Sequence, residues 1–548
     1  MSGLLYTLLG LAASSSLHCA VRREISPCTC RQEAFSSTVV CERMDSFEQV
    51  AGALRGKFTT EQQITLRVSH SNLRDISRHD FKELRMSITK LELNHDLWFS
   101  LEHLPHGEVF AGLGRTQYLS LADNEVPSIP RHILSHLSLL RTLDLSRNRI
   151  SRIDSDDFKH LLLAGNAISE MVPGSLPPLV KHLHVGRNQL QSLNRTLRDL
   201  NQLEWLLINA NELTSLDGEL PSSGHNLKML YAVDNKLTHL PAEFRYLHRL
   251  ESLYLQHNKI RSLDGTLQKA RRLKFLELSY NDLQELTEED FLEAEMLEDL
   301  ELGHNSLKSL GSAGSGNGDG NGGNSVLYPL RSLKCLNLTH NELREFSFAS
   351  LRGLRELRLL DLSNNRIARL HRGRTPSEVR NIQDMQLQHN ELRSLDGSLF
   401  LGMKELQKLN LSYNALGPTI GQRDLRGLDG LKVLDLSHNE LTTLEDTSET
   451  WLPSLEELNA SHNRLVTLSE RDFRGFPVLC WADVSANRIR TLMPELVANT
   501  RCTVHGVPDV LRIYLQGKIK RIRYQCYRIL CYRSGLNKYN IIIIYNII

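Results

Sequence analysis

Leu276-Glu277-Leu278-Ser279-Tyr280-Asn281-Asp282-Leu283 is the stretch of sequence that decides the fold. The alternation of its first three residues predicts a short strand in which Leu276 and Leu278 point inward and Glu277 points outward. Asn281 follows in the turn after the strand. Its amide can both donate and accept hydrogen bonds there, and so satisfy backbone groups that the bend removes from the sheet. A leucine at this position would fill the space without forming those bonds.

The same pattern returns about every 24 residues across most of the chain, and an asparagine marks each copy. Ser71 and Asp96 occupy its place in two earlier copies, so that about eighteen units stack in one array. We predict an α/β-type solenoid over residues 61–496, with a parallel sheet on the concave side and loops and short helices on the convex side. We call the members of the asparagine row the ladder asparagines; they are Asn124, Asn148, Asn166, Asn188, Asn211, Asn235, Asn258, Asn281, Asn305, Asn341, Asn365, Asn390, Asn414, Asn439, Asn463 and Asn487.

A phenylalanine recurs at a fixed offset in the segments that return from one strand to the next. Because it recurs with the repeat, it predicts a second stripe of core on the convex side. The members of this stripe are Phe81, Phe158, Phe291, Phe400 and Phe473.

The first residues of the chain have the layout of a secretory signal, with an apolar run followed by small residues, and we assign residues 1–16 to it. Four cysteines crowd into the next segment, 17–60, which we predict to be a cap stapled by two nested disulfides. Zinc binding by the same thiols is the alternative, although the spacing lacks a second Cys-x-x-Cys arm. A cytosolic chain with an apolar start is the alternative to secretion. The four cysteines are Cys19, Cys28, Cys30 and Cys41.

The repeat with its asparagine and phenylalanine, together with the Cys-x-Cys cluster, resembles the typical subclass of extracellular leucine-rich repeat proteins, such as the ectodomains of Toll-type receptors, slit, chaoptin and connectin. The resemblance spans about Cys19 to Leu496. It implies a leucine-rich repeat horseshoe and an extracellular location, and it implies disulfides from Cys19 to Cys30 and from Cys28 to Cys41. It says little about the ligand, because the motif residues form the scaffold.

Three segments depart from the regular repeat. The glycine-rich insertion 311–324 predicts a solvated loop, with a hinge or protease-sensitive link as the alternative. Only eighteen residues separate Asn148 from Asn166, so about six residues of the return segment are missing; the solenoid kinks there or the sequence is incomplete. The tail 497–548 follows neither the repeat nor a globular pattern. We interpret it as non-native or truncated sequence, with a basic membrane-surface segment as the alternative. Cys480 and Cys502 are candidate disulfide partners of a C-terminal cap.

The residue between the two inward leucines of each strand forms a column along the concave sheet. In the earlier half of the array this column holds aromatic and apolar side chains, which protein interfaces use as anchors. The alternative is that tyrosine is tolerated on sheets and contacts only its stacked neighbours. The residues that we predict to bind a partner are His184, Trp205, Leu207, Tyr231, Tyr254 and Tyr280.

The later half of the same column contains three glycosylation sequons, at Asn337, Asn410 and Asn459. Three sequons in one column predict that glycans partly screen this half of the concave face. A fourth sequon, at Asn194, lies outside the strands.

A second row, just before the ladder asparagines, is rich in histidine. Imidazoles on adjacent strands are able to bind metal or to sense pH, but we favour ordinary hydrogen bonding on a hydrated face. The row comprises His257, Tyr280, His304, His340, Asn364, His389, Tyr413, His438 and His462.

The overall composition favours recognition of proteins over other functions. Lys and Arg number 65 against 64 Asp and Glu, a formal charge of +1 that predicts no nucleic-acid partner. We find no phosphate loop, zinc-protease pattern or nucleophile elbow, so we predict no enzyme activity and no cofactor.

We expect a protein ligand or a cell-surface receptor as partner, with homophilic association as an option, in cell adhesion or as a receptor ectodomain. The alternatives are a secreted innate-immunity binding protein and an intracellular repeat scaffold. We see no membrane anchor in this sequence, although a complete protein could carry one.

Overall fold

The computed structural model describes residues 24–32, 36–96, 108–128, 137–153, 160–221, 226–310, 325–372, 380–492 and 503–505. The chain divides into two compact units, residues 1–236 (unit 1) and 237–548 (unit 2). Each unit is a β-solenoid in which one short strand per repeat adds to a parallel sheet. The signal segment 1–16, the insertion 311–324 and nearly all of the tail 497–548 lie outside the described residues, so the predicted domain boundaries stay predictions.

Unit 1 begins with an antiparallel pair of strands, Thr29–Gln32 and Ser37–Glu42, and continues with parallel strands only. Each strand pairs with the strand of the next repeat. The parallel strands that follow Ser37–Glu42 are Gln63–Ser69, Ser87–Asn94, Tyr118–Ser120, Thr142–Asp144, His160–Leu162, His182–His184, Trp205–Leu207 and Met229–Tyr231.

Unit 2 repeats the same arrangement with strands of three residues. Every pairing within this unit is parallel, with the central residues of neighbouring strands in register. The strands are Ser252–Tyr254, Phe275–Glu277, Asp299–Glu301, Cys335–Asn337, Leu359–Asp361, Asp384–Gln386, Lys408–Asn410, Val433–Asp435, Glu457–Asn459, Trp481–Asp483 and Thr503–His505.

The inward leucines of the motif form the core, as the sequence predicts. Leu276 and Leu278 are both buried, and Leu276 lies opposite Leu300 of the next strand. The two residues that flank the central leucine of a strand point away from this core, because successive side chains of a strand alternate between faces. We call the surface that these flanking residues form the sheet face.

The ladder asparagines occupy the buried turn position predicted for them, and they also link neighbouring repeats. The Asn281 Nδ2 donates to the carbonyls of Leu278 and of Leu255 in the preceding repeat, both at 3.0 Å. Its Oδ1 accepts from the backbone N of Ile260, also in the preceding repeat, at 3.0 Å. One side chain thus satisfies groups in two turns of the solenoid, which a leucine of similar volume cannot do.

The residue before each ladder asparagine has a left-handed backbone. At Tyr280, for example, φ is 58°, and His257 and His304 at the equivalent places have φ of 58° and 54°. This conformation disfavours most side chains other than glycine and asparagine. It turns the chain sharply enough to place the following asparagine under the strand, and the bonds of that asparagine hold the turn.

Ser71 and Asp96 take the ladder position in the first two repeats. The Ser71 Oγ accepts from the backbone N of Met44 at 3.0 Å, and Asp96 Oδ1 accepts from the Ser71 N at 2.8 Å. Asp96 is buried, and its Oδ2 has no hydrogen-bond partner among the described residues. Burial raises the pKa of the Asp96 carboxyl to about 8, so the group is mostly protonated at neutral pH.

The return segments contain little regular helix. The phenylalanine stripe is buried at Phe81, Phe291, Phe400 and Phe473, as predicted, while Phe158 lies outside the described residues. Three small parallel sheets pair Arg152–Ile153 with Glu170–Met171, Glu345–Ser347 with Arg369–His371, and Thr467–Leu468 with Thr491–Leu492. Among the described residues, the α-helices are Phe47–Leu54 and Glu445–Ser448, and the 3-10 helices are Arg74–Arg78, Phe81–Leu84, Glu108–Phe110, Ala242–Tyr246, Phe348–Leu351 and Glu470–Phe473.

The short spacing between Asn148 and Asn166 leaves the sheet intact. The strand His160–Leu162 pairs in register with the strands on both sides, Thr142–Asp144 and His182–His184. Asn166 donates to Leu145 and Leu163 carbonyls as the other ladder asparagines do. The missing residues therefore shorten the return segment without breaking the ladder.

The N-terminal cap is crosslinked as the resemblance implied. A disulfide joins Cys28 to Cys41, with an S–S distance of 2.03 Å. Cys30 is also disulfide-bonded, whereas Cys19 lies outside the described residues, so the Cys19–Cys30 pairing stays a prediction.

The prediction of a disulfide at Cys480 is wrong: its thiol is free and exposed. The reason is local, since Cys480 directly precedes the strand Trp481–Asp483 and its Sγ turns back to the Val478 carbonyl at 3.2 Å. Cys502 lies outside the described residues. Within the described ranges, no helix combines the length and the apolar character that crossing a bilayer requires.

Candidate functional site

The sheet face of unit 1 carries a row of stacked rings. His182 stacks on Trp205 with ring centroids 4.2 Å apart and planes only 7° from parallel, and His160 contacts the other face of His182 at 4.2 Å. These residues precede the central leucine of three successive strands, so parallel register places them side by side. Stacking and partial burial together restrict the rotamers of the Trp205 side chain.

A row of alternating charge runs beside these rings. The Glu204 carboxylate accepts from Lys181 Nζ at 2.9 Å and from Lys228 Nζ at 2.7 Å. These two hydrogen bonds lower the pKa of Glu204 to about 2. The three side chains come from equivalent positions in neighbouring repeats, so the ion pairs follow from the repeat register.

Two of the residues predicted to contact a partner in unit 1 are covered. His184 and Leu207 are only 2% and 8% exposed. Strands in one sheet lie about 4.8 Å apart, so a side chain of moderate length is flanked and covered by its neighbours on both sides. Burial lowers the pKa of His184 to about 4, so the imidazole is neutral at physiological pH. The prediction of an exposed surface is wrong for these two residues.

The other predicted partner residues do not form one cluster. Trp205 and Tyr231 are half-buried and belong to unit 1, whereas Tyr254, also half-buried, belongs to unit 2. Tyr280 is exposed, but it lies in the turn row before a ladder asparagine and not on a strand. The structure therefore places Trp205, Tyr231 and Tyr254 on the sheet face and Tyr280 on a different surface, and partner binding by these residues stays a prediction.

The sheet face of unit 2 carries a group of carboxylates, which we call the acidic stretch: Glu277, Asp299, Glu301, Asp361 and Asp384. They flank the central leucine or methionine of strands that pair in register. The sequence analysis predicted that Glu277 points outward; it does lie on the sheet face, yet it is only 8% exposed because neighbouring side chains cover it.

Burial dominates the electrostatics of the acidic stretch. It raises the pKa of Asp299 to about 6 and that of Glu301 to about 7, and nearby carboxylates add to both shifts. The Glu301 Oε2 accepts from Asn337 Nδ2 at 2.6 Å, but the Asp299 Oδ1 has no hydrogen-bond partner among the described residues. Asp299 is 7% exposed, so the fold holds an unsatisfied carboxyl oxygen at this face.

The three sheet-face sequon asparagines share one conformation. The Oδ1 of each accepts from the backbone N two residues ahead, at Thr339, Ser412 and Ser461 respectively. Asn337 Nδ2 also donates to Glu301, and Asn459 Nδ2 donates to Asp435. Asn194 lies in a return segment and outside the strands, as predicted. Glycosylation at Asn194, Asn337, Asn410 and Asn459 stays a prediction.

The turn row of histidines and tyrosines forms two ring stacks in unit 2, which we call the turn stacks. Centroid distances within them are 3.9 to 4.3 Å. Hydrogen bonding on a hydrated face is the favoured prediction for this row, and it stays a prediction for most members. The rings stack on one another, and His340 Nδ1 in addition lies 3.0 Å from Thr339 Oγ1. Asn364 separates the stacks, which are His257, Tyr280, His304 and His340, and then His389, Tyr413, His438 and His462.

The described side chains that are positioned to share one metal ion lie outside the strands, at Glu48, His79 and Glu83. Sequence analysis did not single them out. The sequence offers only the four-residue spacing of His79 and Glu83, and no helical turn joins the two, because His79 and Asp80 are extended.

Comparison with known proteins agrees with this architecture. The leucine rich repeat family model matches residues 100–150, 114–168, 203–260, 323–367, 380–441 and 429–489, which together make up more than half of the chain. The matched ranges fall in both units.

Among curated relatives, the chain is 32% identical over 161 residues to human (Homo sapiens) leucine-rich repeats and immunoglobulin-like domains protein 3, covering 28% of this chain and 14% of that protein. It is 28% identical over 263 residues to mouse (Mus musculus) podocan, covering 45% of this chain and 40% of that protein. The chain thus spans less than half the length of these relatives. Among solved structures, Toll of the Drosophila Toll–Spatzle complex in its glycosylated form has a TM-score of 0.62 at 18% identity, covering 85% of this chain and 70% of that chain.

Proposed function

The chain belongs to the leucine-rich repeat family, and from that premise we propose that it is an extracellular protein-recognition scaffold that binds its partner through the sheet face. The ladder asparagines and inward leucines hold the scaffold together, so we assign partner recognition to the residues that flank the central residue of each strand. These residues supply aromatic anchors in unit 1 and carboxylates in unit 2. They form no catalytic arrangement that we recognise, so we propose binding and no enzymatic activity.

The observation that carries the proposal is the acidic stretch, and Asp299 above all. A buried carboxyl with an unsatisfied oxygen and a raised pKa costs the folded state free energy. Groups that cost stability in this way cluster at functional sites, where a ligand satisfies them. Because the stretch is acidic, we propose a partner that presents lysine or arginine side chains to this face.

Two observations support an extracellular location. The Cys28–Cys41 disulfide is of a kind that persists in oxidising compartments. The first residues have the pattern of a secretory signal, as the sequence analysis describes. Both argue against the intracellular scaffold. Toll, which was solved in complex with Spatzle, provides a precedent for a protein ligand on this fold.

The finer choice lies between a cell-surface role, in adhesion or as a receptor ectodomain, and a secreted binding protein. We favour the cell surface because the chain resembles chaoptin and connectin, which consist almost entirely of repeats, and this resemblance favours a role in adhesion. The distribution of the expressed full-length protein between cells and culture medium separates these options. Recovery of all protein from the medium, with none on the cells, contradicts the cell-surface role.

Binding of the purified chain to intact cells tests the sheet face itself. We expect the double variant D299N/E301Q to lose at least tenfold in apparent affinity, because it removes charge where the partner supplies lysine or arginine. The matched control is E288Q/E289Q, which removes the same charge from the return segment before Phe291 and should bind like the unmodified chain. Equal loss in both variants, or loss in the control alone, contradicts recognition through the sheet face.

A further inference from the structure

Five ionisable side chains meet in unit 1 between the helix Phe47–Leu54, which we call the cap helix, and the first repeats: Glu48, Arg55, Asp75, His79 and Glu83. None of them belongs to the sheet face, and the proposed recognition function uses none of them. They lie in or next to three helical elements: the cap helix, and the 3-10 helices Arg74–Arg78 and Phe81–Leu84, which follow the strand Gln63–Ser69.

Local structure fixes the positions of these groups. The Asp75 carboxylate accepts from the backbone N of Phe47 at 2.7 Å and of Glu48 at 3.0 Å, and so holds the first turn of the cap helix. The His79 ring packs against Phe47 with centroids 5.7 Å apart. Glu83 is held by a reciprocal capping box with Asp80. Asp75, His79 and Glu83 are therefore positioned by contacts that do not depend on a ligand, whereas the Glu48 side chain is exposed.

The three candidate ligand atoms have the spacing of a metal site. His79 Nδ1 lies 3.2 Å from Glu83 Oε1 and 3.5 Å from Glu48 Oε2, and all three atoms lie within 4.8 Å of one another. Tetrahedral zinc with bonds of about 2.0–2.1 Å places its ligand atoms roughly 3.3 Å apart. An ion between these atoms therefore requires only small side-chain movements.

A carboxylate lies near the second nitrogen of His79, although beyond hydrogen-bond distance. This nitrogen, Nε2, lies 3.8 Å from Asp75 Oδ2. Histidines that bind metal usually direct their second nitrogen at a carboxylate, which orients the ring and increases its basicity. Asp75 is itself fixed by two backbone N–H groups, so it is suited to this role.

The charge of the group also suits a divalent cation. Glu48, Asp75 and Glu83 carry three negative charges, and Arg55 compensates one of them. Arg55 Nη2 lies 2.5 Å from Glu83 Oε2, the oxygen that is not aimed at His79, and 3.9 Å from Glu48 Oε2. The other oxygen of Glu83, Oε1, faces His79 and accepts only a long hydrogen bond, of 3.4 Å, from the backbone N of Asp80. With His79 neutral, the net charge is about −2, which a divalent ion would balance.

We propose that His79 Nδ1, Glu83 Oε1 and Glu48 Oε2 bind a divalent transition-metal ion such as Zn²⁺, with water completing the coordination shell. Imidazole with carboxylates is a ligand set that zinc accepts. The ion would crosslink the cap helix to the 3-10 helices of the first repeats, and so stabilise the junction between the cap and the array.

Titration of Zn²⁺ alone into the chelator-treated, secreted chain tests this site, with a chromophoric chelator as competitor. We expect one binding site that H79A and E83Q each weaken by at least 100-fold. D75N should weaken it by about 10-fold to 100-fold, as expected for a second-shell partner. H79Q serves as a second variant of similar size if H79A does not fold.

The matched control is H371A. His371 Nε2 lies 3.3 Å from Glu345 Oε2, so it forms a similar histidine–glutamate pair without a third ligand. We expect Zn²⁺ binding of H371A to equal that of the unmodified chain. Unchanged stoichiometry and affinity in folded H79A and E83Q would overturn the proposal, because the contacts around His79 would then be ordinary ion pairs.

Discussion

At the scale of the residue, one buried amide determines the solenoid. Each ladder asparagine bonds to its own turn and to the preceding one, and each follows a residue with a left-handed backbone. The sequence predicts the buried position, because asparagine is the side chain that can both donate and accept there. It does not predict the left-handed residue, since histidine, tyrosine and arginine all occupy that position and none of them signals the conformation.

Asn281→Ala should therefore destabilise its own repeat and the preceding one. The substitution leaves three carbonyls and the Ile260 N without their partner, and we expect a loss of about 1–3 kcal/mol in local opening free energy. Hydrogen exchange in the strands Ser252–Tyr254 and Phe275–Glu277 measures this loss. The control is Asn381→Ala, which removes one bond from an exposed asparagine and should change protection by much less. Equal effects of the two substitutions would contradict the role of the ladder.

Asp96→Asn should stabilise the chain, because an amide supplies the donor that the Asp96 carboxylate lacks. The folded-state pKa of about 8 exceeds the ordinary value of 3.8. The carboxyl therefore contributes stability that is complete below pH 4 and is lost as pH rises through 8. The gain from Asp96→Asn should be larger at pH 9 than at pH 6, as measured by hydrogen exchange in the strand Ser87–Asn94. A gain that does not depend on pH would show that Asp96 is ionised in the folded state.

At the scale of the element, neighbouring strands cover each other's side chains. The repeat spacing predicts which residues share the sheet face, and the structure confirms that assignment for Glu277, His184 and Leu207. Spacing alone does not predict exposure, because exposure depends on the size of the side chains on both adjacent strands. His184, Leu207 and Glu277 were consequently predicted to be accessible and are covered. The ring stacks have the same origin, since they depend on a register between repeats that a single copy of the motif does not contain.

Acidification should change the stability of the two sheet faces in opposite directions. His184 has a folded-state pKa of about 4, below its ordinary 6.5, so its stability contribution is present above pH 6.5 and is lost as pH falls through 4. Glu301 has a folded-state pKa of about 7, above its ordinary 4.5, so its contribution is lost as pH rises through 7 and is complete below pH 4.5. For His184 the full change is on the order of 3 kcal/mol.

Hydrogen exchange between pH 7 and pH 4.5, corrected for intrinsic rates, checks this expectation. Protection should fall in the strand His182–His184 and rise in the strand Asp299–Glu301. E301Q should remove part of the rise in unit 2, since Asp299 also contributes to it, and leave the fall in unit 1. A change of the same sign in both strands would contradict the assigned protonation states.

At the scale of the whole molecule, the repeats provide a scaffold, and the proposed function depends on the sheet-face residues that are not part of the repeat motif. The sequence predicts the family, the disulfide of the cap and the parallel sheets. The identity of the recognition surface does not, because the acidic stretch emerges only when strands from several repeats lie in register. The proposed metal site likewise joins Glu48 to residues that lie about one repeat further along the chain.

Zero-length crosslinking of the chain bound on intact cells tests the central claim most directly. A carbodiimide couples carboxylates to lysines in contact, and mass spectrometry identifies the coupled residues. We predict crosslinks from partner lysines to the acidic stretch, at Asp299, Glu301 or Asp361. Crosslinks found only at acidic residues of the return segments, such as Glu288 and Glu289, would contradict recognition through the sheet face.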